Sequence, residues 1–243
     1  MDANGSIDSR LEQFDADGAV RETADQTHSI LEHEGDTRAA FLKKAGLTGG
    51  AVLGGGAIMG ALVPGTAIAG GRPPSSFGKG DIGILNFALT LEYLEYEFYL
   101  EATKNNDATP FVDGQLKVFL DTVTADEKAH VDFLEAALGK KAIKEPKFDF
   151  GTTTSNKDEF VATAFALENT GVKAYSGQAL NIKDPGNVKA ALSILTIEAR
   201  HASVIGLIQS GDRKGIAPDG PFDKALTAKK VLKAVAATGF IQG

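Results

Sequence analysis

Two glutamate-histidine pairs at a spacing of three, Glu127-Lys128-Ala129-His130 and Glu198-Ala199-Arg200-His201, constrain this chain more than any other feature. On an α-helix, residues three positions apart share one face, so each pair aims a carboxylate oxygen and an imidazole nitrogen at the same point. Two such motifs are the signature of a dinuclear metal site, and that site needs one further glutamate from each of two more helices. The remaining histidines, His28 and His33, lie in a polar N-terminal tract with no rigid element to orient them, and nothing catalytic is expected there.

Glu92 and Glu168 meet the need. Each follows a leucine (Leu91-Glu92, Leu167-Glu168) and each is followed seven residues later by a tyrosine, Tyr99 and Tyr175. Glu92/Tyr99 thus repeat as Glu168/Tyr175, and Glu127/His130 as Glu198/His201, so two similar hairpins each contribute half a site. Burying an ionised, unpaired carboxylate among Leu, Ala and Phe costs several kcal/mol, and four facing one core repel one another. Two divalent cations remove that penalty, because four glutamates balance their charge and two neutral imidazoles complete the set. The chain has no cysteine, which excludes disulfides, thiolate zinc sites and Fe–S clusters.

Helical signals become regular from Asp81. Asp81 is placed to cap a first helix running to about Lys104, with Leu85, Ala88, Glu92, Tyr96 and Tyr99 on one face. A second, Gly114 to Leu138, carries the stripe Leu116, Leu120, Val123, Glu127, His130, Leu134 and stops at Gly139. The third, Lys157 to Leu180, shows Val161, Ala164, Glu168 and Tyr175, and Asp184-Pro185-Gly186 ends that segment. The fourth, Asn187 to Gln209, carries Ile194, Glu198, His201, Ile205 and Ile208, and a short helix from Thr227 to Ala236 packs across one end. Short loops after the first and third helices make antiparallel hairpins, while residues 140–157 are long enough to cross the bundle. The expected fold is all-α: a four-helix bundle of two antiparallel hairpins with one long crossover, plus a short C-terminal helix.

The segment Leu85-Asn86-Phe87-Ala88-Leu89-Thr90-Leu91-Glu92-Tyr93-Leu94-Glu95-Tyr96-Glu97-Phe98-Tyr99 resembles the first helix of the bacterial and plant ferritin-like family that includes desiccation-related proteins. The likeness extends from about Asp81 to the C-terminus, including Phe222-Asp223-Lys224-Ala225-Leu226-Thr227. It implies a ferritin-like domain over 81–243 and supports two metal ions, Fe or Mn, on Glu92, Glu127, His130, Glu168, Glu198 and His201. It does not define a physiological reaction.

Four residues are candidates for tuning such a site. Asp126 precedes Glu127 as in the Asp-Glu-x-x-His form of di-iron oxygenases and reductases, where such an Asp orients a histidine through its second ring nitrogen; His201 is the expected partner. The equivalent position before Glu198 is Ile197, so the halves differ there. Glu95, one turn beyond Glu92, is matched in the third helix by Gly171. It is read as an extra ligand, a redox-shifting carboxylate, a proton relay or an exposed surface charge, since Tyr96 competes for the inward direction. Tyr99 and Tyr175 are read as hydrogen-bond donors to ligand carboxylates or as core aromatics with a polar tip, and Arg200 as a surface or salt-bridge residue.

The formal net charge of -7 sits at the N-terminus, where residues 1–37 hold ten acids against Arg10 and Arg21. No basic stripe with interleaved aromatics exists, so nucleic acid is not an expected partner. Residues 1–36 read as an acidic disordered leader. Thr37-Arg38-Ala39-Ala40-Phe41-Leu42-Lys43-Lys44 and the Gly- and Ala-rich stretch ending in Ala67-Ile68-Ala69 have the three parts of a secretory signal. This segment, 37–69, resembles a twin-arginine (Tat) signal except that Ala39 stands where the second arginine belongs. Export is expected, to periplasm, cell envelope or outside, with cleavage after Ala69 and a linker over 70–80; the alternative is a membrane anchor through an uncleaved leader.

The expected function is an exported oxidase or peroxidase that consumes Fe(II), O2 or peroxide in stress protection. Manganese-catalase-like chemistry is the nearest enzymatic alternative, and a non-catalytic desiccation or envelope protein the nearest of another class. A homodimer is the assembly left open. An organic-substrate pocket cannot be inferred from the sequence.

Overall fold

A computed structural model describes residues 71–242. The acidic leader, the signal-like segment and both of its histidines lie outside the described residues. The long helices are α1 (Gly80–Ala108), α2 (Gly114–Leu138), α3 (Lys157–Gln178) and α4 (Pro185–Ser210), followed by the short α5 (Arg213–Ile216) and α6 (Ala228–Thr238). Two-residue strands β1 (Lys147–Phe148) and β2 (Ile241–Gln242) pair antiparallel. The all-α expectation holds, and this small ladder pins the C-terminus to the crossover.

Local chemistry sets the helix ends, in places differently from the sequence expectation. Asp184-Pro185-Gly186 does not end a segment but starts α4: the Asp184 side chain accepts from the Gly186 and Asn187 N–H groups, and Pro185 takes the first turn, where no N–H is needed. Asp81 does not cap α1. Its carboxylate instead accepts from the Lys183 and Asp184 N–H groups, tying the start of α1 to the α3–α4 connection. α1 also continues past Lys104 to Ala108, where the Asn106 side chain accepts from the Phe111 and Val112 N–H groups and closes the turn into α2. α3 ends at Gln178, two residues early, in a 3-10 turn over Ala179–Asn181. At the end of α2, Gly139 has φ 54°, a left-handed backbone that its missing Cβ tolerates.

α1 packs along α2 and α3 along α4, and the hairpins meet with α1 on α3 and α2 on α4. The crossover, residues 139–156, is held to α1 by the side-chain amides of Asn86, which is buried, and Asn105, which is half-buried. Asn86 Nδ2 donates to Phe77 O and Lys141 O while its Oδ1 accepts from Ile143 N–H. Asn105 donates to Thr154 O. α6 adds Ala228, Val231 and Val235 to a core cluster with Phe98, Phe150 and Phe160, whose stacked Phe98 and Phe160 rings lie 5.4 Å apart.

Among the described residues only α4 has the length and apolar content to cross a membrane. Its buried Glu198 and His201 instead mark a bundle helix.

Candidate metal centre

Two apolar clusters fill the bundle, and a polar layer separates them. α2 gives Leu116, Leu120 and Val123 to one cluster and Val131, Leu134 and Leu138 to the other, leaving Glu127 and His130 between. α4 does the same with Ile205 and Ile194, leaving Glu198 and His201. Glu92, Glu127, Glu168 and Glu198 are all 0% exposed. Helical spacing aims each motif inward; the hairpin pairing makes all four aim at one place.

The six residues form two overlapping donor sets, Glu92/Glu127/His130/Glu198 and Glu127/Glu168/Glu198/His201, with donor atoms in each set within 4.8 Å of one another. Glu127 and Glu198 belong to both. Glu127 spans the two histidines, with Oε2 3.1 Å from His130 Nδ1 and Oε1 3.1 Å from His201 Nδ1. Glu92 Oε2 is 3.1 Å from His130 Nδ1, and Glu168 Oε2 is 3.3 Å from His201 Nδ1.

Tyrosines hold the unshared carboxylates, and they do so crosswise. Tyr99 of α1 donates its hydroxyl to Glu168 Oε1 on α3, and Tyr175 of α3 donates to Glu92 Oε1 on α1. Each unshared glutamate thus has one oxygen committed to a phenol from the opposite hairpin and the other turned toward a histidine. His201 Nε2 lies 3.0 Å from Asp126 Oδ2. Ile197 offers no such acceptor in the other half.

Glu95 is only 2% exposed, so it is not a surface charge. Tyr96, the competitor for the inward direction, turns aside: Lys128 Nζ sits 6.0 Å from its ring centroid. Gly171, the residue matched to Glu95 in the repeat, shows why there is space. A Cβ there would overlap Glu198 Oε2 and come within 3.3 Å of Glu95 Oε1, so the glycine makes room for both carboxylates. Arg200 is exposed on α4, donating to Thr196 O.

Packed this closely, the carboxylates shift one another's proton affinities. Burial, then the charges of Glu198 and Glu127, pushes the Glu95 carboxyl well up, and burial with the neighbouring Glu127 charge does the same for Glu198. Burial outweighs the nearby His130 and His201 rings at Glu127, which is raised to about 7. For His201, burial alone would lower the value, but Glu127 and Glu168 raise it to about 11.

The donor chemistry fits metal ions. Glu95 Oε2, Glu127 Oε1, Glu168 Oε2, both Glu198 oxygens and His201 Nδ1 are buried without a hydrogen-bond partner. Each such orphan costs ~1–3 kcal/mol or more when charged. A cluster of them in one dry layer is the arrangement that cations satisfy.

The sequence profile of the ferritin-like domain matches residues 80–210, more than half of the chain and the whole run from the start of α1 to the end of α4. No curated protein matches the chain.

Proposed function

The chain belongs to the ferritin-like domain family, and on that basis we propose that its carboxylate-histidine layer holds two redox metal ions, iron or manganese, in an oxidase or peroxidase that consumes O2 or peroxide. The observation that carries this reading is the pair of overlapping donor sets sharing Glu127 and Glu198. Glu92 and His130 would complete one ion's ligands, and Glu168 and His201 the other's. Imidazole with carboxylate suits both metals, and when bound such a pair would pass electrons from a reductant such as Fe(II) to O2 or peroxide.

The protein's own residues supply order and dryness. Tyr99 and Tyr175 fix the unshared carboxylates, Asp126 orients the His201 ring, and the apolar clusters on either side exclude water. Glu95 stands in the same layer as a fifth glutamate, with Oε2 free to carry a proton.

Manganese-catalase-like chemistry uses the same residues, and metal identity separates it from the iron reading. The setting we propose is export by the Tat-like segment and a part in desiccation or envelope stress, supported by Thr37–Lys44 and by the likeness of Leu85–Tyr99. Elemental analysis with turnover tests the reading. Stoichiometric Fe or Mn, with peroxide consumption that disappears in Glu127→Ala, is expected. Protein without metal and without turnover would point to a non-catalytic bundle.

A further inference from the structure

The outer seam between α2 and α4 holds a cavity of about 540 Å³ that meets the metal layer only at Asp126 and His201. Its size falls within the ~300–1,000 Å³ of small-molecule sites. Its walls are mostly hydrocarbon, including Val118 and Val123 of α2 and Val204 and Leu207 of α4. Val118 is 66% exposed, Val204 48% and Leu207 47%, an apolar patch on one seam that solvent alone does not favour.

Gln115 and Thr122 add neutral polar groups along α2, and the two charged side chains come one from each helix. Asp126 and Arg200 line the cavity together, beside the ring of His201. An anionic ligand would meet the Asp126 carboxylate and a cationic one the Arg200 guanidinium. A neutral hydroxyl can do both jobs, donating to Asp126 and accepting from Arg200. The recess also reaches Phe119 and His201, each only 5% exposed. A helix face of a second copy would cover the rim, but it would not fill that depth.

We infer that this cavity binds a neutral, mainly apolar alcohol or phenol, with its hydroxyl between Asp126 and Arg200 and its hydrocarbon body along Val118, Val123, Val204 and Leu207. The site brings that molecule beside the His201 end of the metal layer, and so names the class of organic molecule the centre would meet. That last consequence rests on the metal reading. The binding itself does not.

Calorimetric titration of the full chain with 4-hexylphenol and 1-nonanol, metal-loaded and metal-stripped, tests the inference, with sedimentation run alongside. Saturable one-to-one binding is expected in both forms, at least tenfold tighter than for nonanoate or nonylamine. Val204→Trp, which fills the recess, is expected to weaken it at least tenfold with helical circular dichroism retained. Leu207→Trp, three residues further along α4, gives the same direction should the first variant not fold. Absence of saturation, equal affinity for nonanoate, or undiminished binding in the folded tryptophan variants overturns the inference. So does a stable dimer, or a segment of the chain itself, that occupies the seam and keeps the phenol out. Failure to find metal leaves these outcomes unchanged, so the two readings fail separately.

Discussion

Gly171 of α3 packs its bare Cα against the carboxylate of Glu198 on α4, where any Cβ would overlap Oε2. The same absent atom leaves 3.3 Å to Glu95 Oε1, so a glycine in one hairpin accommodates the extra glutamate of the other. The two-fold repeat is therefore broken by volume as well as by charge.

Gly171→Ala should keep the bundle, since alanine is the better helix former by ~1 kcal/mol, yet displace the Glu198 carboxylate. Metal affinity is expected to fall about 10- to 100-fold, the range for disturbed ligand support. Competitive metal titration beside circular dichroism reads both; unchanged affinity would mean that Glu198 does not serve as a ligand.

Glu198→Gln should change the sign of its effect with metal. Without metal it removes a carboxyl that burial forces to take up a proton on folding, and the thermal midpoint at neutral pH should rise. With metal it removes a shared donor, and the stabilisation by ligand, ~2.7 kcal/mol at 100 times the dissociation constant, should shrink. Thermal scans with and without chelator check the reversal.

Asp126→Ala takes away the acceptor 3.0 Å from His201 Nε2. The ring then loses its orientation, and a 10- to 100-fold loss of metal affinity is expected with little change in fold. Replacing Ile197, which has no such bond, by alanine is the control: its effect on affinity should be much smaller.

Asp81 makes acid stability predictable. Burial alone would raise its carboxyl, but N–H groups of Asp184 and Lys183, the Asn187 amide and the Arg72 charge hold it below the usual 3.8. A carboxyl depressed in the folded state contributes stability that is complete above its unfolded value and is lost as pH falls through the folded one. The wild-type midpoint should therefore fall more steeply below about pH 4 than that of Asp81→Asn, whereas at pH 7 the variant should be less stable by about 1 kcal/mol. Parallel slopes would contradict the assignment.

Gly177→Ala should be among the costlier single changes. Its Cβ would overlap the Leu226 carbonyl, in a segment whose N–H donates to Lys173 O at 3.0 Å. Overpacking of this kind costs about 1–3 kcal/mol, visible as a lower unfolding midpoint, and α6 should loosen first in hydrogen exchange.

The long helices were legible because apolar period and turn residues act locally: α2 runs from Gly114 to Leu138 as its stripe requires. The ends that misled were those with two local meanings. Asp184-Pro185-Gly186 suits a stop as well as an N-cap, and only the Asp184 side chain turning onto the Gly186 and Asn187 N–H groups decides. The β1–β2 pair was not legible at all, because Lys147 finds Gln242 across the whole α3–α4 hairpin and the two short helices after it.

The sequence by itself determined the class of fold and the donor types, since a spacing of three residues places Glu127 with His130, and Glu198 with His201, on one helical face wherever the helix lies. Tertiary structure decided how the donors are shared. That Glu127 spans both histidines, that Tyr99 reaches Glu168 while Tyr175 reaches Glu92, and that Glu95 rather than Tyr96 turns inward depend on the rotation of each helix about its axis. Rotation is set by packing against other helices, as in the Tyr99–Glu168 and Tyr175–Glu92 pairs between residues 69 and 83 apart, and no local pattern records it.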